Sequence, residues 1–329
     1  MKRGQIKKSL IWLSRRLLAV AIVLSTMFGW RIFTSRGDAG PKDAKLPDRL
    51  VRHVLKISAE IGDRDIYYYE GLKKCAEYIK QELDSFGYPL EIQQYEIEGK
   101  QVENIIAVKR GSKFPEAVVI VGAHYDSCFN PGADDNASGV AGLLELARSL
   151  KDKDTGMTVK FIAFTCEEPP FFKTENMGSR RYARKAKASG EDIRAVIALD
   201  AIGYYSNKLF SQRYLPLMGF FFPAKGNFIA VLGDWRSRVF ASRIKDSFKR
   251  STPFPVELLA LDHVPCADFS DHWSFWKEGY PGVMLTDTAF LRHENYHKAT
   301  DTWEKLDYAG MACVVEGLNA AIVELSKAK

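Results

Sequence analysis

Five short, almost wholly apolar runs, separated by stretches of helical periodicity, constrain this chain more than any other feature. Residues 117–123 (AVVIVGA), 159–165 (VKFIAFT), 195–199 (AVIAL), 228–232 and 283–286 lack the apolar–polar alternation of a half-solvated strand. Strands that read this way are buried on both faces, as in a parallel sheet covered by helices. Helical patterning fills the gaps at 139–150, 178–188 and 237–249, and Asp307 caps a last helix running to about Lys327. Ahead of the first run, Tyr68, Leu72, Ala76, Ile79 and Leu83 recur at three or four, so 65–86 reads as a helix. The expected fold is α/β, with a mostly parallel central sheet covered by helices on both faces. Ligands in such sheets collect beyond the carboxyl ends of the strands.

Charge divides the chain. Residues 1–36 carry eight basic side chains and no acid, while the other residues hold 39 basic against 41 acidic groups. The net charge of +6 therefore belongs to the N-terminus, and a nearly neutral body excludes nucleic acid as the expected partner. Within the basic segment, 17–30 is a run without a charge, the length of a signal-peptide core and short for a bilayer span. Residues 1–36 are expected to be a signal peptide or, with Arg15 and Arg16 snorkelling, a signal anchor. The body of the chain would then lie on the extracytoplasmic side, touching the membrane only through this segment. Residues 37–47 (GDAGPKDAKLP) read as a linker, leaving 48–329 as one domain. Cys75, Cys128, Cys166, Cys266 and Cys313 show no C-x-x-C spacing, which argues against a thiolate zinc ribbon.

The residues after the apolar runs carry the chemistry. The first run ends in His124-Tyr125-Asp126, with Asp135 eleven residues past His124 in GADDNASG. The second leads into Cys166-Glu167-Glu168, the third into Asp200, and the last is followed by Tyr296-His297. His124, Asp135, Glu168, Asp200 and His297 thus converge on one sheet edge. Two imidazoles and three carboxylates suit a pair of zinc ions sharing a bridging carboxylate.

The order His-x-Asp, Gly-x-x-Asp-x-x-x-Gly, Glu-Glu, Asp and His resembles the co-catalytic zinc aminopeptidases of the aminopeptidase Y and bacterial leucyl aminopeptidase family. The likeness covers roughly residues 50–325. It includes VGAHYDS, GADDNASG, the Glu-Glu pair, MGSRRYA, ALDAIG, SDHWSFW and YHKATDTWEKLD. The resemblance implies the zinc aminopeptidase-like fold, two zinc ions per chain and peptide substrates with a free N-terminus. It places His124 and Asp200 on one metal, Glu168 and His297 on the other, and Asp135 between them. Glu167 is then the general base, turned away from its ligand neighbour, and Asp126 the acceptor for the second ring nitrogen of His124. Relatives often carry a non-proline cis peptide after the bridging Asp, so Asp135–Asn136 is expected to be cis.

Rival readings remain open at this point. His293-Glu294-Asn295-Tyr296-His297 spells H-E-x-x-H, with Glu316 at a single-zinc spacing, but that motif requires a continuous helix. Without one, His293 is a bystander and Glu294 a solvated acid. Glutaminyl cyclases share the scaffold with one zinc and carry Trp before the final His, where this chain has Tyr296. A carboxypeptidase would need a basic pocket for the terminal carboxylate, and a binding domain with a degenerate site would hold no metal. Residues 217–223 (LMGFFFP) are expected to pack in the core, and Asp271-His272 to support the site structurally.

Overall fold

The computed structural model describes residues 40–327, so the expected signal or anchor at 1–36 lies outside the described residues. The described chain divides into two compact units, one of residues 40–205 and 228–327 and one of residues 206–227. In the larger unit, α1 (Leu46–Leu55) and α2 (Tyr69–Ser85) precede a hairpin of β1 (Leu90–Ile97) and β2 (Lys100–Lys109). Then follow β3 (Phe114–His124), α3 (Gly139–Leu150), β4 (Met157–Phe164), α4 (Gly178–Ala188) and β5 (Asp192–Leu199). After residue 227 come β6 (Ile229–Gly233), α5 (Arg238–Ser251), β7 (Val256–Ala260), α6 (His272–Lys277), β8 (Gly282–Thr286) and α7 (Tyr308–Lys327).

The eight strands form one sheet in the order β1-β2-β4-β3-β5-β8-β6-β7. Its centre, β4-β3-β5-β8, is parallel throughout. The β1–β2 hairpin adds antiparallel to β4 on one side, and β6 lies antiparallel to β8 on the other. All five apolar runs are strands, because each is covered twice. On one face Val121, Ala123, Phe161 and Ile197 pack with α3 and α7 residues such as Leu143, Leu144, Val314 and Leu318. On the other, Val118, Ile120, Ile162 and Val196 pack with Tyr182, Ala183 and Ala186 of α4 and Phe275 of α6. Each buried aliphatic side chain contributes about 1.5–3 kcal/mol to this core. Among the described residues α7 has the length and hydropathy to cross a membrane, and it is buried as a core helix.

Three strands and two helices have no counterpart in the sequence reading. β1 (LEIQQYEI) carries mostly polar residues at an edge, so no apolar run marks it. It joins β2 through Glu98 and Gly99, both at positive φ, as a two-residue hairpin turn of the I′ kind requires. α1 begins inside the expected linker and buries Leu46, Leu50 and Val54. It docks on α3 through Glu145, which accepts from Arg49 Nε at 2.9 Å and Arg148 Nη2 at 2.8 Å, with His53 Nε2 at 3.3 Å.

Residues 206–227 contain no strand and one short 3-10 turn, Met218–Phe220. They are closed by Ser206 N–H donating to Gly226 O at 2.8 Å and Tyr214 OH donating to Pro223 O at 2.6 Å. Core packing of 217–223 is not what is found. Leu217 is 73% exposed, Phe221 59% and Phe220 48%, since an irregular segment of this length has no second layer to bury them.

Burial alone would push the Glu145 carboxyl up, but hydrogen bonds from His53, Arg49 and Arg148 hold it down at about 2. A depressed folded-state value stabilises the fold above the unfolded value of 4.5, and that contribution is lost as pH falls towards 2. Glu145→Gln is therefore expected to destabilise by about 2–3 kcal/mol at neutral pH in urea unfolding. The difference from the parent should shrink steadily in acid; a pH-independent difference would remove the ionic anchor of α1.

Candidate metal centre

Strand register places the candidate residues side by side. His124, the last residue of β3, pairs with Phe164 at the end of β4, so the loop carrying Glu167 and Glu168 starts beside it. Gly122 pairs with Ala198, which sets Asp200, just past β5, level with His124. Backbone clamps then fix the loops. Asn104 of β2, fully buried, accepts from Thr165 N at 3.1 Å. The Asp126 carboxylate accepts from Glu167 N at 3.1 Å and Glu168 N at 3.0 Å. Arg64, fully buried, donates to the carbonyls of Tyr125, Pro131 and Gly132 and so spans the loop between His124 and Asp135.

The two glycines of the Gly-x-x-Asp-x-x-x-Gly signature have distinct reasons. Gly132 sits at φ +53°, where a side chain would also meet Asp135 O and Ser127. At Gly139 a Cβ would collide with the Asn136 side chain and Leu199 O, where α3 starts against the end of β5. The Asp135–Asn136 peptide is cis, as expected. Asn136 ties this turn to the β5 loop, donating to Leu199 O at 2.8 Å and accepting from Ala201 N at 3.2 Å.

All five candidate donors meet in one buried locus. Asp135 lies between the imidazoles, with Oδ1 3.2 Å from His124 Nε2 and Oδ2 2.9 Å from His297 Nε2. Asp200 Oδ2 is 3.8 Å from His124 Nε2, and Glu168 Oε1 is 3.2 Å from His297 Nε2. Three groups could each hold an ion: His124, Asp135 and Asp200; His124, Glu167 and Glu168; and Cys128, Glu168 and His297. Tetrahedral coordination with bonds of about 2.0–2.2 Å has donor–donor edges of about 3.3–3.6 Å, and these spacings bracket that length. Asp135 Oδ1 and Glu168 Oε1 are buried without a hydrogen-bond partner, and a cation would satisfy both. The donor set fits a pair of divalent ions.

Two expected details differ. The Asp126 carboxylate is 3.6 Å from His124 Nδ1, which lies nearer the Asp126 carbonyl at 3.3 Å, because the carboxylate is occupied by the Glu167 and Glu168 amides. Glu167 does not turn away from its neighbour: its Oε2 is 3.9 Å from His124 Nε2, and both glutamates face the same locus. β4 stops at Phe164, so strand alternation no longer governs these side chains.

Burial, with the charge of Asp135 opposed by His297, lifts Glu168 to about 7. Burial and Asp135, opposed by His124, lift Asp200 to about 6. Glu167 is also raised, by burial against the pull of His124 and with Glu168, Asp200 and Asp271 adding repulsion. Asp135 moves the other way: burial alone would raise it, but the two imidazoles flanking it hold it well below the usual carboxylate range.

The sequence reading missed the support behind Asp135. Asp301 accepts from Asp134 N at 3.1 Å and Asp135 N at 3.2 Å. His293, expected as a bystander, is buried with Nδ1 3.2 Å from Asp134 Oδ2 and its ring stacked on Tyr204 at 4.1 Å. Asp301 stands in the YHKATD motif, but nothing in one sequence assigns it a partner 166 positions away. The H-E-x-x-H reading fails. Residues 293–297 are turns rather than helix, and Glu316 accepts from the backbone of Lys42 and Asp43. Asp271 and His272 are buried, His272 Nε2 lying 2.8 Å from Ala267 O.

Residues 104–322 match the family model described as Peptidase family M28. The chain belongs to this family. The Escherichia coli protein YfbL is 37% identical over 83% of this chain and 86% of its own length. A probable aminopeptidase of Saccharomyces cerevisiae is 26% identical over 69% of this chain and 58% of its own length. Among solved structures, BSAP, a zinc aminopeptidase from Bacillus subtilis, matches with a TM-score of 0.69 and 16% identity over 86% of this chain and 95% of its own. A glutaminyl cyclase of Porphyromonas gingivalis matches at 0.64 and 22% identity over 85% and 98%. Both share the α/β fold of the M28 chain.

Two outcomes are expected of the centre. Between their unfolded values of 3.8 and 4.5 and their folded values of about 6 and 7, Asp200 and Glu168 bind more protons folded than unfolded. Metal-free protein should therefore lose stability as pH rises from about 4 to about 7, and added divalent metal should restore more at the upper end. Melting with and without a chelator checks this; a metal effect that shrinks with pH would contradict it. Asp301→Asn, which weakens the seat of Asp135, is expected to lower metal affinity about 10–100-fold in chelator competition.

Proposed function

We propose that this M28 peptidase is a two-zinc aminopeptidase, and the observation that carries the reading is the Asp135 carboxylate between two imidazoles, each flanked by its own carboxylate. In this reading His124 and Asp200 would hold one ion, Glu168 and His297 the other, with Asp135 available to both. Zinc at these positions would supply Lewis acidity to the scissile carbonyl and to a water molecule.

The remaining work falls to the chain itself. Glu167 is the carboxylate with no metal role, directed into the same locus. It takes a proton from the attacking water as the new C–O bond forms, and returns that proton to the leaving nitrogen as the C–N bond breaks. Burial raises its proton affinity, so it can hold the proton between the two steps. The Asp126 carboxylate, bonded to the amides of Glu167 and Glu168, sets where both side chains start. The charge facing the locus is acidic, from Glu167, Glu168, Asp200 and Asp271, which favours a substrate's α-ammonium group over a terminal carboxylate. That supports an aminopeptidase over a carboxypeptidase. The fold likeness to a glutaminyl cyclase keeps one rival: a single zinc with cyclisation of N-terminal glutamine. Five donors rather than a one-ion set, and Tyr296 before His297, favour the peptidase. The apolar 17–30 run with its basic flank further supports an exported or anchored protein with its catalytic unit outside the cytoplasm.

Elemental analysis of the purified protein is expected to give close to two zinc per chain. Aminoacyl chromogenic substrates should be cleaved, and their Nα-acetylated forms left intact. One zinc with cyclase activity would replace the reading. Glu167→Gln should keep both metals while turnover falls about 10²–10⁴-fold. Glu294→Gln should leave turnover unchanged, and full activity in Glu167→Gln would remove Glu167 as the base.

A further inference from the structure

Among the described residues, Cys128 lies beside the centre and the peptidase reading leaves it without a role. It sits four residues past His124, on the loop that Arg64 pins through Tyr125 O, Pro131 O and Gly132 O. Within that loop Ser127 Oγ donates to Asn130 O at 2.9 Å, and Asn130 Nδ2 donates back to Cys128 O at 2.9 Å. The loop is thereby held at both ends and across its middle. The Cys128 sulphur lies within 4.8 Å of a Glu168 oxygen and a His297 nitrogen.

A thiol near a pocket is by itself no site, but here a second group points the same way. Glu168 Oε1 is buried 3.2 Å from His297 Nε2 and has no hydrogen-bond partner, and a Glu168 oxygen belongs to the same cluster as the Cys128 sulphur. The other cysteines differ. Cys75, Cys166 and Cys313 are buried, with burial pushing the Cys75 thiol up to about 12, as suits inert core residues.

Resting on the two-metal reading, we propose that Cys128 supplies a thiolate ligand to the ion held by Glu168 and His297. With Asp135 this half of the centre has four protein donors, one of them sulphur. The His124, Asp135 and Asp200 half has three, and so keeps the open position that catalysis requires. On binding, the S–H proton leaves to solvent as the sulphur–metal bond forms, with no change of oxidation state. A mixed N, O and S set selects zinc over harder ions such as magnesium or manganese. It also makes occupancy of this half sensitive to alkylation of one thiol.

The test uses the full-length protein and its Cys128→Ser and Cys128→Ala variants, with folding checked by melting. Each is loaded with cobalt(II) and followed by absorption, then with zinc in chelator competition. The parent should show a near-ultraviolet thiolate-to-cobalt charge-transfer band that both variants lack. Zinc affinity of the half held by Glu168 and His297 should fall at least about tenfold in both. Zinc should also protect Cys128 of the parent from iodoacetamide, read by peptide mass, with Cys266 as the internal comparison. Two metals bound without the band, with unchanged affinity and unprotected Cys128, would overturn the proposal and leave the peptidase reading standing. A parent that binds no metal would overturn the two-metal reading itself.

Discussion

Buried carboxylates outnumber imidazoles at one end of the sheet, and the rest of the site is arranged to tolerate that imbalance. Asp126, Asp135, Glu167, Glu168, Asp200 and Asp271 are each at most 8% exposed, and His124 and His297 are the bases among them. Burying so many like charges without compensation would cost several kcal/mol per group. Protons relieve part of the repulsion, as the raised values of Glu168, Asp200 and Glu167 indicate. Cations would relieve more, and Asp135 Oδ1 and Glu168 Oε1, buried without a hydrogen-bond partner, are oxygens one could satisfy.

A site of this kind needs a stiff frame, since its side chains repel one another. The frame is backbone held by buried polar groups rather than by apolar packing. Arg64 gathers the loop after β3, Asp126 holds the loop after β4, Asn136 joins the turn before α3 to the end of β5, and Asp301 caps the amides of Asp134 and Asp135. Each clamp bonds main-chain groups that a loop would otherwise leave unsatisfied. The same logic makes His293 a structural residue: its ring fills the space between Tyr204 and Asp134.

The central strands were legible because burial on both faces leaves a signature in a single line of text, the apolar run. The five metal-centre candidates were legible because each follows such a run or stands at a fixed distance from one. Edge strands carry no such mark. β1 alternates polar residues, and its place follows from pairing with β2, which is itself a tertiary event. α1 was hidden by the composition of the segment that precedes it, and 217–223 misled because apolar content says nothing of whether a second layer is present.

Local patterning thus determined the α/β class, the strand ends and which residue types gather there, because periodicity and strand-end chemistry act over a few residues. Only the tertiary structure decided which atoms face each other. Asp301 reaches Asp135 across 166 positions, Glu167 faces the same locus as Glu168 rather than turning away from it, and Cys128 lies beside His297. Those outcomes depend on loop paths set by long-range hydrogen bonds, and no spacing within one segment encodes them.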